Sequence, residues 1–226
     1  MQLTYYGHAS FSVVINNKHI LFDPYITGNP SAAGINPDDL EADYILVTHG
    51  HGDHVADLIP VAKRTGAKVI AGAEVADWLQ TKGIENVHPL NQGGFIDFEF
   101  GQLRAVNAIH SSGLPDGSYG GNPLGFVINS AEGNFYAAGD TALTMDMQLI
   151  PYWSTLDFAL LPIGSNYTMS AADAVIASDF IKCNKIIGIH YNTFDIIKID
   201  TAKAVSLFEK AGKTLLLPKP GQTIDI

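Results

Sequence analysis

At 226 residues and 46% hydrophobic side chains, the chain is long enough to bury a full core as one α/β domain over residues 1–226. A formal net charge of −10, with no Lys or Arg between Arg104 and Lys182, leaves no basic track for a nucleic-acid backbone. No apolar run is long enough to span a bilayer, no signal-peptide pattern precedes Leu3, and a single cysteine, Cys183, excludes an internal disulfide, so a cytoplasmic protein without membrane contact is expected.

The chain opens on a strand-like Leu3–Tyr6, followed by a hairpin of Phe11–Ile15 and Ile20–Phe22 turning at Asn16-Asn17-Lys18. A Gly-, Pro- and Asn-rich loop, Gly28–Pro37, leads to a short β-prone run, Tyr44–Val47, and a helix is expected to begin near Val55. A strand at Lys68–Ala71, a helix at Glu74–Lys82 and a strand at Val87–Leu90 come next. Phe95–Phe98 and Leu103–Ile109 alternate apolar and polar residues around Gly101, as strands with one buried face do. Strands at Phe126–Asn129 and Phe135–Ala138, a helix after Thr141, strands at Phe158–Pro162 and Lys185–Ile189, and helices near Ala171 and Thr201 complete the pattern. Strands alternating with helices, plus hairpins, predict a mixed sheet architecture covered by helices.

Between the run Tyr44–Val47 and the helix near Val55 lies His49-Gly50-His51-Gly52-Asp53-His54, four candidate metal ligands within six residues. In extended chain, residues two apart project to one side, so His49 and His51 can grip one ion. Asp53 and His54, where the chain turns into the helix, point toward a second ion. Asp is also a common helix N-cap and histidines are common in loops, but three His and one Asp at this spacing point to metal.

His-x-His-x-Asp-His after a short strand resembles the motif of the metallo-β-lactamase superfamily. Members place a further His, an Asp and a last His after later strands, and here His110, Asp140 and His190 match, each just past an apolar run. Gly7-His8-Ala9-Ser10-Phe11, Leu21-Phe22-Asp23-Pro24 and Pro162–Met169 carry a narrower resemblance, to the small branch that includes the L-ascorbate-6-phosphate lactonase-like proteins and many metal-dependent hydrolases. Ser165-Asn166-Tyr167 departs from the branch's glycine pair followed by Phe-Thr-Met, on the substrate side. The resemblance implies a four-layer αββα sandwich, two β-sheets face to face with helices outside. It also implies two divalent ions, Zn or Mn first, with Fe or Ni also suited to such ligands.

In that arrangement His49, His51 and His110 hold one ion, Asp53, His54 and His190 the other, and Asp140 bridges ions about 3.5–4 Å apart. A hydroxide between the ions, oriented by Asp53, would cleave a small ester, lactone or phosphodiester. Asp23 is expected to fix the tautomer of a ligand imidazole, and His8 to contact substrate or supply a proton. Tyr119, in the turn-rich loop after His110, and Asn166 are expected near substrate. The substrate is expected to be small, with little negative charge; self-association into a homo-oligomer stays open. Two other readings compete. Di-iron redox relatives carry Glu where this chain has His51 and use a flavin domain, and a non-catalytic metal-binding or regulatory member would be expected to have lost ligands. True β-lactamases commonly use a Cys at the second site, and Cys183 matches no ligand position.

Overall fold

The computed structural model describes residues 1–226. The first half of the chain builds one seven-stranded sheet: β1 (Gln2–Gly7), β2 (Ser10–Ile15), β3 (Lys18–Phe22), β4 (Tyr44–Leu46), β5 (Lys68–Ala71) and β6 (Val87–Pro89). Its helices are α1 (Gly52–Val55), α2 (Leu58–Thr65) and α3 (Ala73–Thr81). The second sheet, also seven-stranded, comprises β7 (Phe95–Phe98), β8 (Gly101–Asn107), β9 (Leu124–Ser130), β10 (Gly133–Ala137), β11 (Phe158–Pro162), β12 (Lys185–Ile189) and β13 (Thr214–Leu216). Its helices are a 3₁₀ segment Met145–Tyr152, α4 (Ala171–Phe180) and α5 (Thr201–Lys210). A last strand, β14 (Thr223–Asp225), returns to pair antiparallel with β1 and completes the first sheet.

Each sheet starts as an antiparallel meander and continues as parallel strands. The sequence dictates the switch. Tight turns such as Asn16-Asn17, both at positive φ, can join only antiparallel neighbours, whereas the parallel pairs need crossovers, which helical segments supply except between β3 and β4, where a long loop with two short 3₁₀ turns does so. β4 and β11 are buried on both faces, which accounts for their unbroken apolar runs. Between the sheets lies an aromatic-rich core including Phe11, Phe22, Phe126, Phe135 and Phe158. Phe11 stacks on Phe22 at 4.3 Å and Phe135 on Phe158 at 4.9 Å. Outside the first sheet, α2 and α3 bury Leu58, Val61, Val75 and Leu79; outside the second, Ala174, Ala177, Ala204 and Phe208 do the same. The result is the expected four-layer αββα sandwich. No helix is long and apolar enough to cross a membrane.

Four expectations need correction. The first helix begins at Gly52, so Asp53 and His54 lie inside its first turn. The helix after Thr141 is a 3₁₀ segment starting at Met145, with Pro151 inside it denying a backbone donor. β8 ends at Asn107, three residues before His110, because the chain leaves the sheet to reach Asp140: the Ile109 amide donates to Thr141 Oγ1 and the Ala142 amide to the Ile109 carbonyl. The short strands β13 and β14 were not expected; neither carries enough alternation to stand out, and both exist because an edge of a sheet was available to pair.

Candidate metal centre

The carboxyl ends of β3, β4, β10, β11 and β12, the β1–β2 turn and the segment after β8 meet at one edge of the sandwich. They bring together all seven side chains expected as ligands. One group is His49, His51 and His110; a second is His8, Asp53, His54 and His190; a third, His49, His54 and Asp140, joins them. Within each group the nearest donor atoms all lie within 4.8 Å of one another. Asp140 stands at the junction, its Oδ2 being 3.0 Å from His190 Nε2, 3.4 Å from His54 Nε2 and 3.5 Å from His110 Nε2.

Asp23 organises this cluster from behind. Buried at the end of β3, its carboxylate accepts from the Thr48 amide at 2.8 Å, from Thr48 Oγ1 at 2.7 Å and from His54 Nδ1 at 2.9 Å. A carboxylate only accepts, so His54 must carry a proton on Nδ1, which leaves Nε2, directed at Asp140, as the nitrogen a metal would take in exchange for its proton. Because Thr48 spends its hydroxyl proton on Asp23, its oxygen accepts from His49 Nδ1 at 3.0 Å, which bares His49 Nε2 toward His51. One carboxylate thus sets the tautomer of a histidine in each donor group. Thr48, which sequence reasoning missed, is the relay; its place directly before His49 was the only signal.

His8 sits behind Asp53 rather than on the cleft wall. It is fully buried, with Nε2 3.1 Å from Asp53 Oδ2 and Nδ1 2.9 Å from Thr193 Oγ1. Burial lowers its pKa to about 4, against the pull of Asp53, so the neutral ring donates to Asp53 and accepts from Thr193. Both nitrogens are engaged, and a proton for substrate from His8 is not what this geometry offers. Burial also lowers the pKa values of His49, His51 and His110, leaving their lone pairs available. His54 behaves oppositely: burial would lower its pKa, but Asp140 and Asp23 together hold it well above the usual value. Asp140, despite the upward push of burial, is held well below the carboxylate range by His54 and His190.

Tight backbone supports the cluster. His8, Asp23 and His190 all adopt left-handed conformations, at φ 58°, 41° and 54°, and the His190 amide donates to the His8 carbonyl at 2.8 Å. Such strain in non-glycine residues persists only where surrounding contacts over-determine it. Gly164, at the end of β11, passes so near the His190 carbonyl that a Cβ there would collide with it. Ser112 Oγ accepts from the Gly50 amide and donates to the Gly120 carbonyl, pinning the metal-motif loop to the loop after His110.

Two clefts open onto the cluster, and His51 and His110 border both. The larger, of about 520 Å³, is walled by Asp53, Asp140 and His190 and by Tyr167, Phe194 and Ile196. The smaller, of about 410 Å³, is walled by the turn-rich loop and includes Tyr119, whose hydroxyl reaches Asn122. Asn166 borders neither; it occupies a left-handed turn, φ 61°, that presents its neighbour Tyr167 instead. Phe194 and Ile196 gave no sequence signal, since neither belongs to a motif or a periodic run.

The residues fit divalent metal. His54 Nε2, Asp140 Oδ1 and His190 Nδ1 are buried with no hydrogen-bond partner, a costly state for polar atoms unless a cation engages the site. Imidazole and carboxylate are the donor types that Zn, Mn and Fe accept.

Residues 18–218 match the family model described as the beta-lactamase superfamily domain. A UPF0173 metal-dependent hydrolase of Flavobacterium johnsoniae is 52% identical over 226 residues, covering all of both chains. The structure of Igni18, a metallo hydrolase from Ignicoccus hospitalis, superposes with a TM-score of 0.89 at 33% identity, covering 99% of this chain and 97% of that one. CmlA, a diiron β-hydroxylase from Streptomyces venezuelae, shares the fold (TM-score 0.78) at 15% identity, matching all of this chain and 54% of its own. With this fold, this conserved length of match and this converging set of donors, the chain belongs to the UPF0173 metal-dependent hydrolase family of the metallo-β-lactamase superfamily.

Proposed function

We propose that this protein is a binuclear metallohydrolase acting on a small ester, lactone or phosphodiester with at most one negative charge. The observation that carries the reading is the pair of adjoining donor groups that meet at the buried Asp140, each with a histidine whose tautomer Asp23 sets, directly or through Thr48. The hydrolase names of relatives such as the Flavobacterium johnsoniae protein and Igni18 support the reaction class. His49, His51 and His110 would hold one ion, Asp53, His54 and His190 the second, and Asp140 both. Zn or Mn suits this set best. Bound there, the ions supply Lewis acidity and a water that loses its proton near neutral pH.

The chain's own residues do the rest. Asp53 borders the larger cleft, and His8 behind it holds the carboxylate at a fixed angle, so Asp53 can both bind and orient the attacking water. Asp140 and Asp53 would set negative charge against bound ions, and the buried Asp23–Thr48 pair keeps the imidazoles from rotating. No Lys or Arg borders either cleft, so nothing but the metals would meet an anionic substrate group. CmlA, a diiron β-hydroxylase, shares this sandwich over 54% of its length, so the fold alone does not choose between hydrolysis and redox chemistry and the choice rests on the site.

The test is hydrolysis of a lactone, a carboxylic ester and a phosphodiester by purified protein, before chelation, after chelation and after re-addition of Zn or Mn. Turnover that is lost on chelation and restored by metal is expected for at least one bond type. Stoichiometric iron with no hydrolysis of any of the three would overturn the reading in favour of redox chemistry.

A further inference from the structure

The two clefts differ in chemistry, and the larger one carries more than a metal centre needs. Tyr167 and Ile196 are 55% and 57% exposed, large apolar side chains held in water at its mouth, and half-buried Phe194 lines the same cleft with its ring 5.4 Å from that of His8. Each belongs to a loop under backbone strain. Tyr167 follows two left-handed residues, Ser165 (φ 64°) and Asn166 (φ 61°), and its own amide donates back to the Ser165 carbonyl at 2.7 Å. Phe194 and Ile196 follow His190 (φ 54°) and Asn192 (φ 57°), and the 3₁₀ turn Asp195–Ile197 fixes the second of them. The strain is not needed to place ligands in the Tyr167 loop, which contributes none; what it accomplishes there is to stand an apolar side chain over the cleft.

Charge agrees. Lys198, on the turn that carries Ile196, is paired with Asp195 at 2.5 Å and does not border the cleft. The wall opposite the metal donors is therefore aromatic and aliphatic, without a fixed cation. The smaller cleft, by contrast, is walled largely by Ser, Gly and Asn around Tyr119.

The geometry points to a substrate with a neutral apolar group, an alkyl or aryl substituent, lying against Tyr167, Phe194 and Ile196 while the bond to be cleaved faces Asp53 and Asp140. This rests on the hydrolase reading above and adds the substrate class to it. Tyr167 and Ile196 are then specificity-determining residues: they act on how well the substituent is held, not on the reacting atoms.

A series of uncharged lactones differing only in alkyl chain length tests this on the metal-loaded protein, alongside cyclic ethers with the same chains, which bind without reacting. Burial of one methylene is worth about four-fold in affinity. Apparent kcat/KM is expected to rise two- to four-fold per methylene through several carbons, and a terminal carboxylate on the chain to cancel the gain. Calorimetry of the ethers should give the same slope with a negative heat-capacity change. Ile196→Ser and Tyr167→Ser should flatten both slopes, whereas Ile176→Ser, at another exposed aliphatic, on α4 and away from the cleft, should keep them. A flat chain-length dependence in the unmodified protein, or a steep one that survives both cleft variants, overturns the inference. If no lactone reacts while the ether slope behaves as expected, the apolar wall stands and the lactone is the wrong bond type; if the ester and the phosphodiester are inert as well, the hydrolase reading falls.

Discussion

Replacing Asp23 separates the two jobs that its carboxylate does. It accepts three hydrogen bonds at 2.7–2.9 Å in a setting 1% exposed. Asp23→Ala leaves the Thr48 amide, the Thr48 hydroxyl and His54 Nδ1 without an acceptor, and each buried orphan costs about 1–3 kcal/mol, so a loss near 3–5 kcal/mol of stability is expected, allowing for partial relaxation. Asp23→Asn keeps the shape and one acceptor oxygen, which the Thr48 amide can retain. Its amide nitrogen can donate to Thr48 Oγ1 or face His54, but it cannot accept from Nδ1. His54 must then shift its proton to Nε2, the nitrogen directed at Asp140, and Thr48 loses its reason to leave an oxygen free for His49. The asparagine variant should therefore fold with a loss of about 1–2 kcal/mol while metal affinity falls 10- to 100-fold, about 1.4–2.7 kcal/mol. Urea unfolding in excess chelator measures the first quantity and competition with a chromophoric chelator the second. An asparagine variant that binds metal as tightly as the parent protein would refute the tautomer argument.

Three further outcomes follow from the same geometry. Asp53→Ala should lower turnover by more than it lowers bound metal, since Asp53 borders the cleft as well as the donor group; equal losses in kinetics and elemental analysis would make it a ligand only. Gly164→Ala should displace the His190 carbonyl and cost metal affinity as well as stability, whereas the same change at Gly212, where a Cβ meets nothing within 4 Å, should cost stability through its left-handed φ alone, with metal binding untouched. The Asp116 carboxyl is held well below the usual carboxylate range, first by Ser118 and then by Trp78, whose indole donates to it at 2.6 Å. A depressed folded pKa means that the contact is fully present above the unfolded value and is lost only as pH falls through the folded one. Trp78 emission, isolated by replacing Trp153 with Phe, should stay constant from pH 7 to pH 4, and a transition centred above pH 4 would contradict the assignment.

Much of the site was legible because its residues are dense in sequence or sit where strands end. His49, His51, Asp53 and His54 share one loop, and His110, Asp140 and His190 each follow an apolar run, so strand-end placement alone brought them to one edge. What stayed hidden was whatever depends on backbone conformation unusual for the residue type. Nothing in a lone His8 or Asp23 announces a left-handed φ, yet that twist turns His8 away from the cleft and aims Asp23 at Thr48 and His54. The apolar wall was hidden for a related reason. Tyr167 stood out only as part of a segment departing from the branch's pattern, while Phe194 and Ile196 obey no helical or strand period, and an exposed apolar residue in a loop reads like any other until the fold sets it over the donors. In the fold, strands carrying strong alternation or unbroken apolar runs were readable, while β13 and β14, three residues each, depend on partners far away in sequence.

The central claim is that two ions share Asp140, and counting them tests it most directly. Elemental analysis of purified protein, combined with anomalous diffraction at the metal edges, should find two ions per chain in the parent protein, one contacted by His49, His51 and His110 and the other by Asp53, His54 and His190, with Asp140→Ala retaining at most one weakly held ion. One ion per chain in the parent protein under metal excess, or two ions undisturbed by the loss of Asp140, would contradict it.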